Sequence, residues 1–303
     1  MAAPLFLMAP PRSYTSLINA MIGQHPQTFG LPELNLFNAK VIKDLWRRVS
    51  DDIGGDSNRR HGLLRAVAQI YAGEQTPATI TMAQHWAAAR EDKATGEVFQ
   101  ELVAKTDPLI LVEKSPAYTV SMKRLTRIYE TFQDARFIHL VRHPIPQCKS
   151  VMNLNNGIFA FFFNAFEFEE NRLIVDPQIA WYDININILN FLDMVPKDQQ
   201  MRIRGEEFME HPQKQLASIC RWLGIRDDDD AVEEMMHPER SPFACFGPVN
   251  ALFGNDPNFL RGPVFRQHTP KIPSLYEPVP WRDDNKGLHP EVIELAQEFG
   301  YKR

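Results

Sequence analysis

Four short apolar runs punctuate this chain: Leu5–Ala9, Leu109–Val112, Phe137–Val141 and Met201–Ile203. None alternates with polar residues, so each predicts a strand buried on both faces of a parallel sheet. Three- and four-residue spacing fills the intervals. Leu17, Ile18 and Met21 predict a helix over Thr15–Gly23, directly after the first strand. Leu34, Phe37, Val41, Ile42 and Leu45 predict another after Pro32-Glu33, and Met122, Leu125, Ile128, Tyr129 and Phe132 predict a third. Gln178–Val195, Pro212–Leu223 and Pro290–Phe299 read as further helices, the last two stopped by Gly224 and Gly300. Strands alternating with helices predict an α/β fold whose central parallel sheet is flanked by helices on both faces.

Ser241 to Asp284 breaks this pattern, being rich in Pro, Gly and Asn with little periodicity. So long an irregular segment inside a compact domain is usually functional or disordered. Phe243, Phe246, Phe253, Phe259 and Phe265 give it material to pack, which predicts an ordered C-terminal binding loop. No internal repeat or low-complexity linker divides the chain, so residues 1–303 are expected to form one domain.

Composition narrows the classes. Among 303 residues, 44% are apolar and 23% charged, values of a soluble protein with a full core. Lys plus Arg is 33 against 38 for Asp plus Glu, a net charge of −5, which argues against a protein that coats nucleic acid but leaves room for a local basic pocket. Cys148, Cys220 and Cys245 lack metal-ligand spacing and cannot all pair, so a reducing compartment fits. Ile158–Phe163 is too short to span a bilayer, and Met1–Ala9 lacks the basic leader of a signal peptide, so a cytoplasmic location is expected.

In an open parallel sheet, ligands bind beyond the carboxyl ends of the strands. The first strand runs into Pro11-Arg12-Ser13-Tyr14-Thr15-Ser16 and a helix start, which offers unpaired N–H groups, a guanidinium and hydroxyls to an anion. An N-capped helix with one exposed Arg is an equally good reading of the residue types alone. The third strand ends in Arg142-His143-Pro144, with Ser150 eight residues beyond Arg142. That is a phosphate clamp, or a strand-end Arg in a salt bridge. Lys114 closes the second strand in Glu113-Lys114-Ser115-Pro116, where alone it reads as a solvated charge.

Together these residues resemble the sulfotransferases that use 3′-phosphoadenosine 5′-phosphosulfate (PAPS), a P-loop-like α/β family. The family's 5′-phosphosulfate loop is similar to Pro11–Ser16, and its 3′-phosphate clamp to Arg142 and Ser150. Lys114-Ser115-Pro116-Ala117-Tyr118 resembles the motif after the second strand in the carbohydrate and tyrosylprotein branches. His25-Pro26 with Pro32-Glu33-Leu34 resembles the glutamate-base branch, which includes bacterial lipid and polyketide sulfotransferases, and Asp256-Pro257-Asn258-Phe259 looks most like the polyketide-synthase members.

The resemblance implies transfer of a sulfuryl group from PAPS to an acceptor hydroxyl, with 3′-phosphoadenosine 5′-phosphate (PAP) as product. It makes Glu33 the base, with Arg12 and Lys114 stabilising the departing phosphate. Arg12, Ser13, Tyr14, Thr15 and Ser16 would cradle the 5′ end, Arg142 and Ser150 would hold the 3′-phosphate, and Arg261 or Arg266 would close over the donor. No metal is implied. The acceptor would be a hydroxylated small molecule, a lipid or a carrier-bound chain, and the aromatic content favours a lipophilic one; a glycan also suits a glutamate base. A P-loop kinase is the runner-up, disfavoured by the missing Gly-Lys-Ser/Thr, and a non-catalytic nucleotide-binding module is the other class.

Two positions depart from the family pattern. Tyr14 replaces the loop glycine; a left-handed backbone there costs a tyrosine about 1–2 kcal/mol, whereas an ordinary helical one would let it wall the pocket. Gly205 precedes the acidic pair Glu206-Glu207, where the family usually has an aromatic. His139, inside a strand, reads as a core histidine, and Asp227–Asp230 as a helix N-terminus. The run from Ile158 to Phe168 reads as core packing first and acceptor lining second. His25 and His85 are the next candidates for a base after Glu33.

Overall fold

A computed structural model describes residues 1–46, 58–154, 163–169 and 172–302. The four predicted strands are β1 (Leu5–Met8), β3 (Ile110–Glu113), β4 (Arg136–Val141) and β7 (Gln200–Arg204), and a three-residue strand β2 (Thr28–Gly30) joins them. Too short to carry a pattern, β2 escapes a reading based on periodicity. The five strands form one parallel sheet in the order β2-β3-β1-β4-β7. Its order reverses at β1, which pairs with β3 on one side and β4 on the other. A crevice therefore opens beyond the carboxyl end of β1, where such sheets bind ligands.

Both faces of β1 are buried, which is why its sequence does not alternate. Phe6 and Met8 face a core with Phe37, Phe99, Phe137 and Phe191, while Leu5 and Leu7 face a second with Ile18, Ile138, Leu140 and Leu216. Phe6 lies 5.8 Å from Phe137, and Phe137 lies 5.0 Å from Phe191, ring centre to ring centre. The helices that cover the sheet are α1 (Thr15–Ile22), α2 (Ile42–Trp46), α3 (His61–Ala72), α4 (Pro77–Ala88), α5 (Thr95–Thr106), α6 (Met122–Thr131) and α7 (Pro144–Met152). An antiparallel hairpin, β5 (Phe166–Glu169) with β6 (Arg172–Val175), leads into α8 (Pro177–Leu192). Then follow α9 (Gly205–Glu210), α10 (Pro212–Leu223), α11 (Asp229–Met235), α12 (Pro257–Arg261) and α13 (Pro290–Glu298). Among the described residues, no helix is long and apolar enough to cross a membrane.

The helix predicted after Pro32-Glu33 does not form. Residues 31–35 have no regular structure, a single 3-10 turn covers Leu36–Asn38, and α2 begins only at Ile42. The backbone donors there are committed across the chain instead of along it. Glu33 N–H bonds the Gly254 carbonyl at 2.7 Å, Leu34 N–H bonds Glu113 Oε1 at 3.2 Å, and Asn35 N–H bonds Ser115 Oγ at 3.1 Å. The apolar spacing reported burial correctly, since Leu34, Phe37 and Ile42 all lie in the core. It did not report a helix.

The late loop is pinned from below. Arg65 of α3 is buried and donates to the Phe253 carbonyl at 3.1 Å, and Gln75 Nε2 donates to the Pro242 carbonyl at 2.8 Å. Phe243 and Phe259 are buried, as the loop's aromatic content predicts, whereas Phe246 stays 39% exposed. Part of the Ile158–Phe168 run lies outside the described residues; of the rest, Phe163 packs on the first core and Phe168 points to solvent on β5.

One long-range bond ties the core to the crevice. Trp181 of α8, fully buried, donates its indole N–H to the Arg142 carbonyl at 3.0 Å. Trp181→Phe keeps an aromatic body and leaves that carbonyl without its donor, so it is expected to lower unfolding free energy by about 1–3 kcal/mol in a denaturant titration. An unchanged stability would show that the bond contributes nothing.

Candidate active site

The turn between β1 and α1 is built on two left-handed residues, Arg12 (φ 68°) and Tyr14 (φ 63°). Tyr14 thus takes the strained backbone and not the ordinary helical one, and it walls the cavity as well. Neighbouring groups hold it there. The Arg142 guanidinium stands 4.3 Å from the centre of the Tyr14 ring, a cation–π contact. Across from it, a Cβ added at Gly205 would stand 2.7 Å from Tyr14 Cδ2. The two positions that depart from the resemblance therefore meet in space: Gly205 leaves the room that the Tyr14 ring fills. Burial raises the Tyr14 phenol's pKa, so the ring stays neutral. The turn is held to α7 by Gln147 Nε2, which donates to the Pro11 carbonyl at 2.6 Å, and by Arg142, which donates to the Arg12 carbonyl.

An open cavity of about 230 Å³ lies over this turn, bounded by Arg12, Tyr14, Thr15, Ser16, Arg142 and Asp256 among others. Arg12 Nε donates to Ser150 Oγ at 3.1 Å, and its Nη1 pairs with the Asp256 carboxylate. The Ser13 hydroxyl and Arg142 Nε are buried and make no hydrogen bond. Two unspent donors beside a guanidinium suit an anion that brings its own acceptors.

On the other side of β1, Lys114 leaves the end of β3 and is only 1% exposed. Its ammonium donates to Ser16 Oγ at 2.7 Å and to the Glu33 carboxylate. Glu33, 28% exposed at its side chain, faces the crevice from a backbone that is wedged in place. A Cβ at Gly62 of α3 would stand 1.9 Å from the Glu33 carbonyl oxygen, so only glycine allows this approach. Beneath it lies Glu113, fully buried, whose Oε1 accepts from Leu34 N–H, from Ser115 Oγ at 2.6 Å and from Tyr118 Oη at 3.3 Å. Burial pushes the Glu113 carboxyl up to about 7, against the downward pull of the Ser115 and Leu34 hydrogen bonds.

The fold thus brings Arg12, Ser16, Glu33, Lys114, Arg142 and Ser150 together around the crevice, with Thr15 lining it and Ser13 buried behind it. Arg261 and Arg266 are exposed and do not bound the cavity; Arg261 is bonded to Asn258 Oδ1 at 3.1 Å. His25 bonds the Arg226 carbonyl through one ring nitrogen and Gln27 N–H through the other, and His85 is exposed on α4. His139 is a core residue bonded to Asn185 Oδ1, its pKa pushed down to about 3 by burial. Sequence reasoning named Asp256 only as the start of the Asp256-Pro257-Asn258-Phe259 loop, and gave no role to it, to Glu113 or to Gly62. The signal for Asp256 was an Asp-Pro helix start in the late loop, but nothing local marks Glu113 or Gly62.

Away from the crevice, Glu167, Asp176 and His289 bring ligand atoms within 4.8 Å of one another, a grouping that sequence spacing does not reveal. Arg282 already occupies it, donating to Asp176 Oδ2 at 2.9 Å and to Glu167, so a guanidinium supplies the positive charge there.

The family model described as "Sulfotransferase family" matches residues 4–229. The sulfotransferase domain from the curacin biosynthetic pathway is similar over 100% of this chain and 99% of its own, at 24% identity and a TM-score of 0.77. The sulfotransferase domain from the Synechococcus PCC 7002 olefin synthase is similar over 100% of this chain and 97% of its own, at 23% identity and a TM-score of 0.71. At these identities the likeness is one of fold. No curated protein matches the chain.

Glu113 yields a pH test. Its carboxyl titrates at about 7 in the folded protein and near 4.5 when unfolded, so between these values the native state binds the extra proton. Stability therefore falls as pH rises through that window, to the extent Glu113 contributes. Glu113→Gln cannot ionise, and the wild-type-minus-variant difference in unfolding free energy is expected to decline from about pH 4.5 to about pH 7. A flat difference would mean that Glu113 is ionised throughout.

Proposed function

The chain belongs to the sulfotransferase family, and from that premise we propose that it moves a sulfuryl group from PAPS to an acceptor hydroxyl, with residues 1–303 acting as one sulfotransferase domain. The observation that carries this reading is the Lys114 ammonium, bonded at once to Ser16 of the β1–α1 turn and to the Glu33 carboxylate. A cation bonded to the anion-binding turn and a base for an incoming hydroxyl then stand next to each other at the carboxyl edge of the sheet.

Ser13 and Arg142, with their unspent buried donors, fit the nucleotide's phosphates. Arg142 and Ser150 would hold the 3′-phosphate, and Arg12 with the hydroxyls of Ser13, Thr15 and Ser16 the 5′ end. When bound, PAPS supplies the sulfuryl group and leaves as PAP. Glu33 accepts the proton of the acceptor oxygen as that oxygen attacks. Lys114 and Arg12 hold positive charge where the departing phosphate gathers negative charge, fixed in advance by the fold. Positioning and charge neutralisation then carry most of the catalysis.

The curacin-pathway and olefin-synthase domains support a lipophilic or carrier-bound small molecule as acceptor, in keeping with the loop that begins at Asp256. Phe259 and Val264 give the cavity rim an apolar side, which suits such a chain.

Glu33 lies in irregular backbone, not in a helix's first turn, so a helix-dipole role no longer competes with its role as base. Glu33→Gln is expected to retain PAP binding and to lose at least about a hundredfold in sulfate transfer at saturating PAPS. Near-wild-type transfer by the folded variant would take Glu33 out of the mechanism. For the clamp, Arg142→Ala should weaken PAP binding by about 1.5–3 kcal/mol in calorimetry, the usual worth of a charge-assisted bond. Unchanged affinity would reject the assignment of the 3′-phosphate to Arg142.

A further inference from the structure

We propose that Asp256 is the resident counter-ion of the donor site: its carboxylate holds the Arg12 guanidinium that a donor phosphate takes over, and it thereby sets donor affinity. The inference rests on the donor reading above and concerns a residue that reading does not use.

Three observations converge. Asp256 is the one acidic side chain bounding the cavity, among the described residues, and it pairs there with Arg12. Its pairing with Arg12 is partly shielded, the two side chains being 25% and 15% exposed, so the interaction is less screened than a surface pair. Arg12 has its Nε spent on Ser150 and an Nη on Asp256, so an anion that claims this guanidinium meets a carboxylate already there. Like charges in one partly buried site repel, and the donor brings several. Either Asp256 withdraws or the donor binds poorly.

Giving up Arg12 need not unseat Asp256, because the pair spans two separately anchored segments. Its other oxygen, Oδ1, accepts from Asn258 N–H at 2.9 Å and caps α12, which is fixed by Phe259 and Leu260 against Ala20 and Ala244. Two residues upstream, the Gly254 carbonyl accepts from Glu33 N–H. Gly254 has φ 120°, a conformation other residues rarely adopt, and a Cβ there would stand 3.0 Å from Gly62 Cα. The segment from Gly254 to Asp256 therefore joins the main chain of Glu33 to the Arg12 side chain. Yielding Arg12 to the donor changes the restraint on the strand of backbone that holds the base, so Asp256 acts as a positioning residue on both sides of the crevice.

The competing explanation, that Asp256 only caps α12, is separable because Asn and Ser cap a helix about as well as Asp but cannot form the ion pair. Asp256→Asn, with Asp256→Ser as a second variant, is expected to unfold at the wild-type temperature. Each should bind PAP about tenfold more tightly by calorimetry, as loss of an opposing charge in a partly buried site implies. The KM for PAPS should fall in parallel while kcat does not rise. Equal or weaker PAP binding by folded variants overturns the proposal. If wild type and variants alike fail to bind PAP, the donor reading falls, and inorganic pyrophosphate then decides the counter-ion claim alone. Tighter pyrophosphate binding by the variants supports it, and equal or undetectable binding overturns it.

Discussion

A lysine ammonium that is 1% exposed has to be answered by nearby charge or strong acceptors, since the effective penalty for burying an ion runs to several kcal/mol. Lys114 is answered by Ser16 and Glu33, and much of the crevice follows from keeping those two in reach. The Glu33 segment gives up helical structure to be there, fixing its N–H groups to Gly254, Glu113 and Ser115. Gly62 clears the space behind it. The buried carboxyl of Glu113, adjacent in sequence to Lys114, ties the same segment to the sheet.

The other cations of the crevice obey the same constraint. Arg12 is paired with Asp256, and Arg142 lies over the Tyr14 ring while bonding the Arg12 carbonyl. Each positive charge is thus held by a group of the protein before any ligand arrives. Ligand binding at such a site is an exchange of partners, and its strength reflects the difference between the two sets. That arrangement keeps cations oriented for transfer without leaving them buried and alone.

The inner strands were legible because burial on both faces leaves apolar runs, whereas the edge strand β7 keeps Arg202 exposed between Met201 and Ile203. Three strand ends were legible because Arg12, Lys114 and Arg142 follow them. Arg12, Lys114 and Arg142 could be placed at one edge of the sheet from that logic alone. The Glu33 segment was misread because its apolar residues fall at helical intervals for a different reason, packing into the core from a chain that bonds elsewhere. Local spacing carries burial but not hydrogen-bond partners contributed by residues 79 or more positions away. Tyr14 departs from the loop pattern in sequence, and only the fold shows that Gly205 makes room for its ring. A contact of this kind between segments some 190 residues apart has no signature in either motif alone. Asp256 was hidden for the same reason, since it meets Arg12 from 244 residues away.

The central claim is that this crevice reads a nucleotide by its 3′-phosphate as well as its 5′ end. Calorimetric titration of the wild-type protein with PAP and, separately, with ATP tests that most directly. The account predicts that PAP binds and that ATP, which carries a 5′-triphosphate but a free 3′-hydroxyl, binds far more weakly. ATP binding as tightly as PAP would contradict it and point to phosphoryl transfer instead.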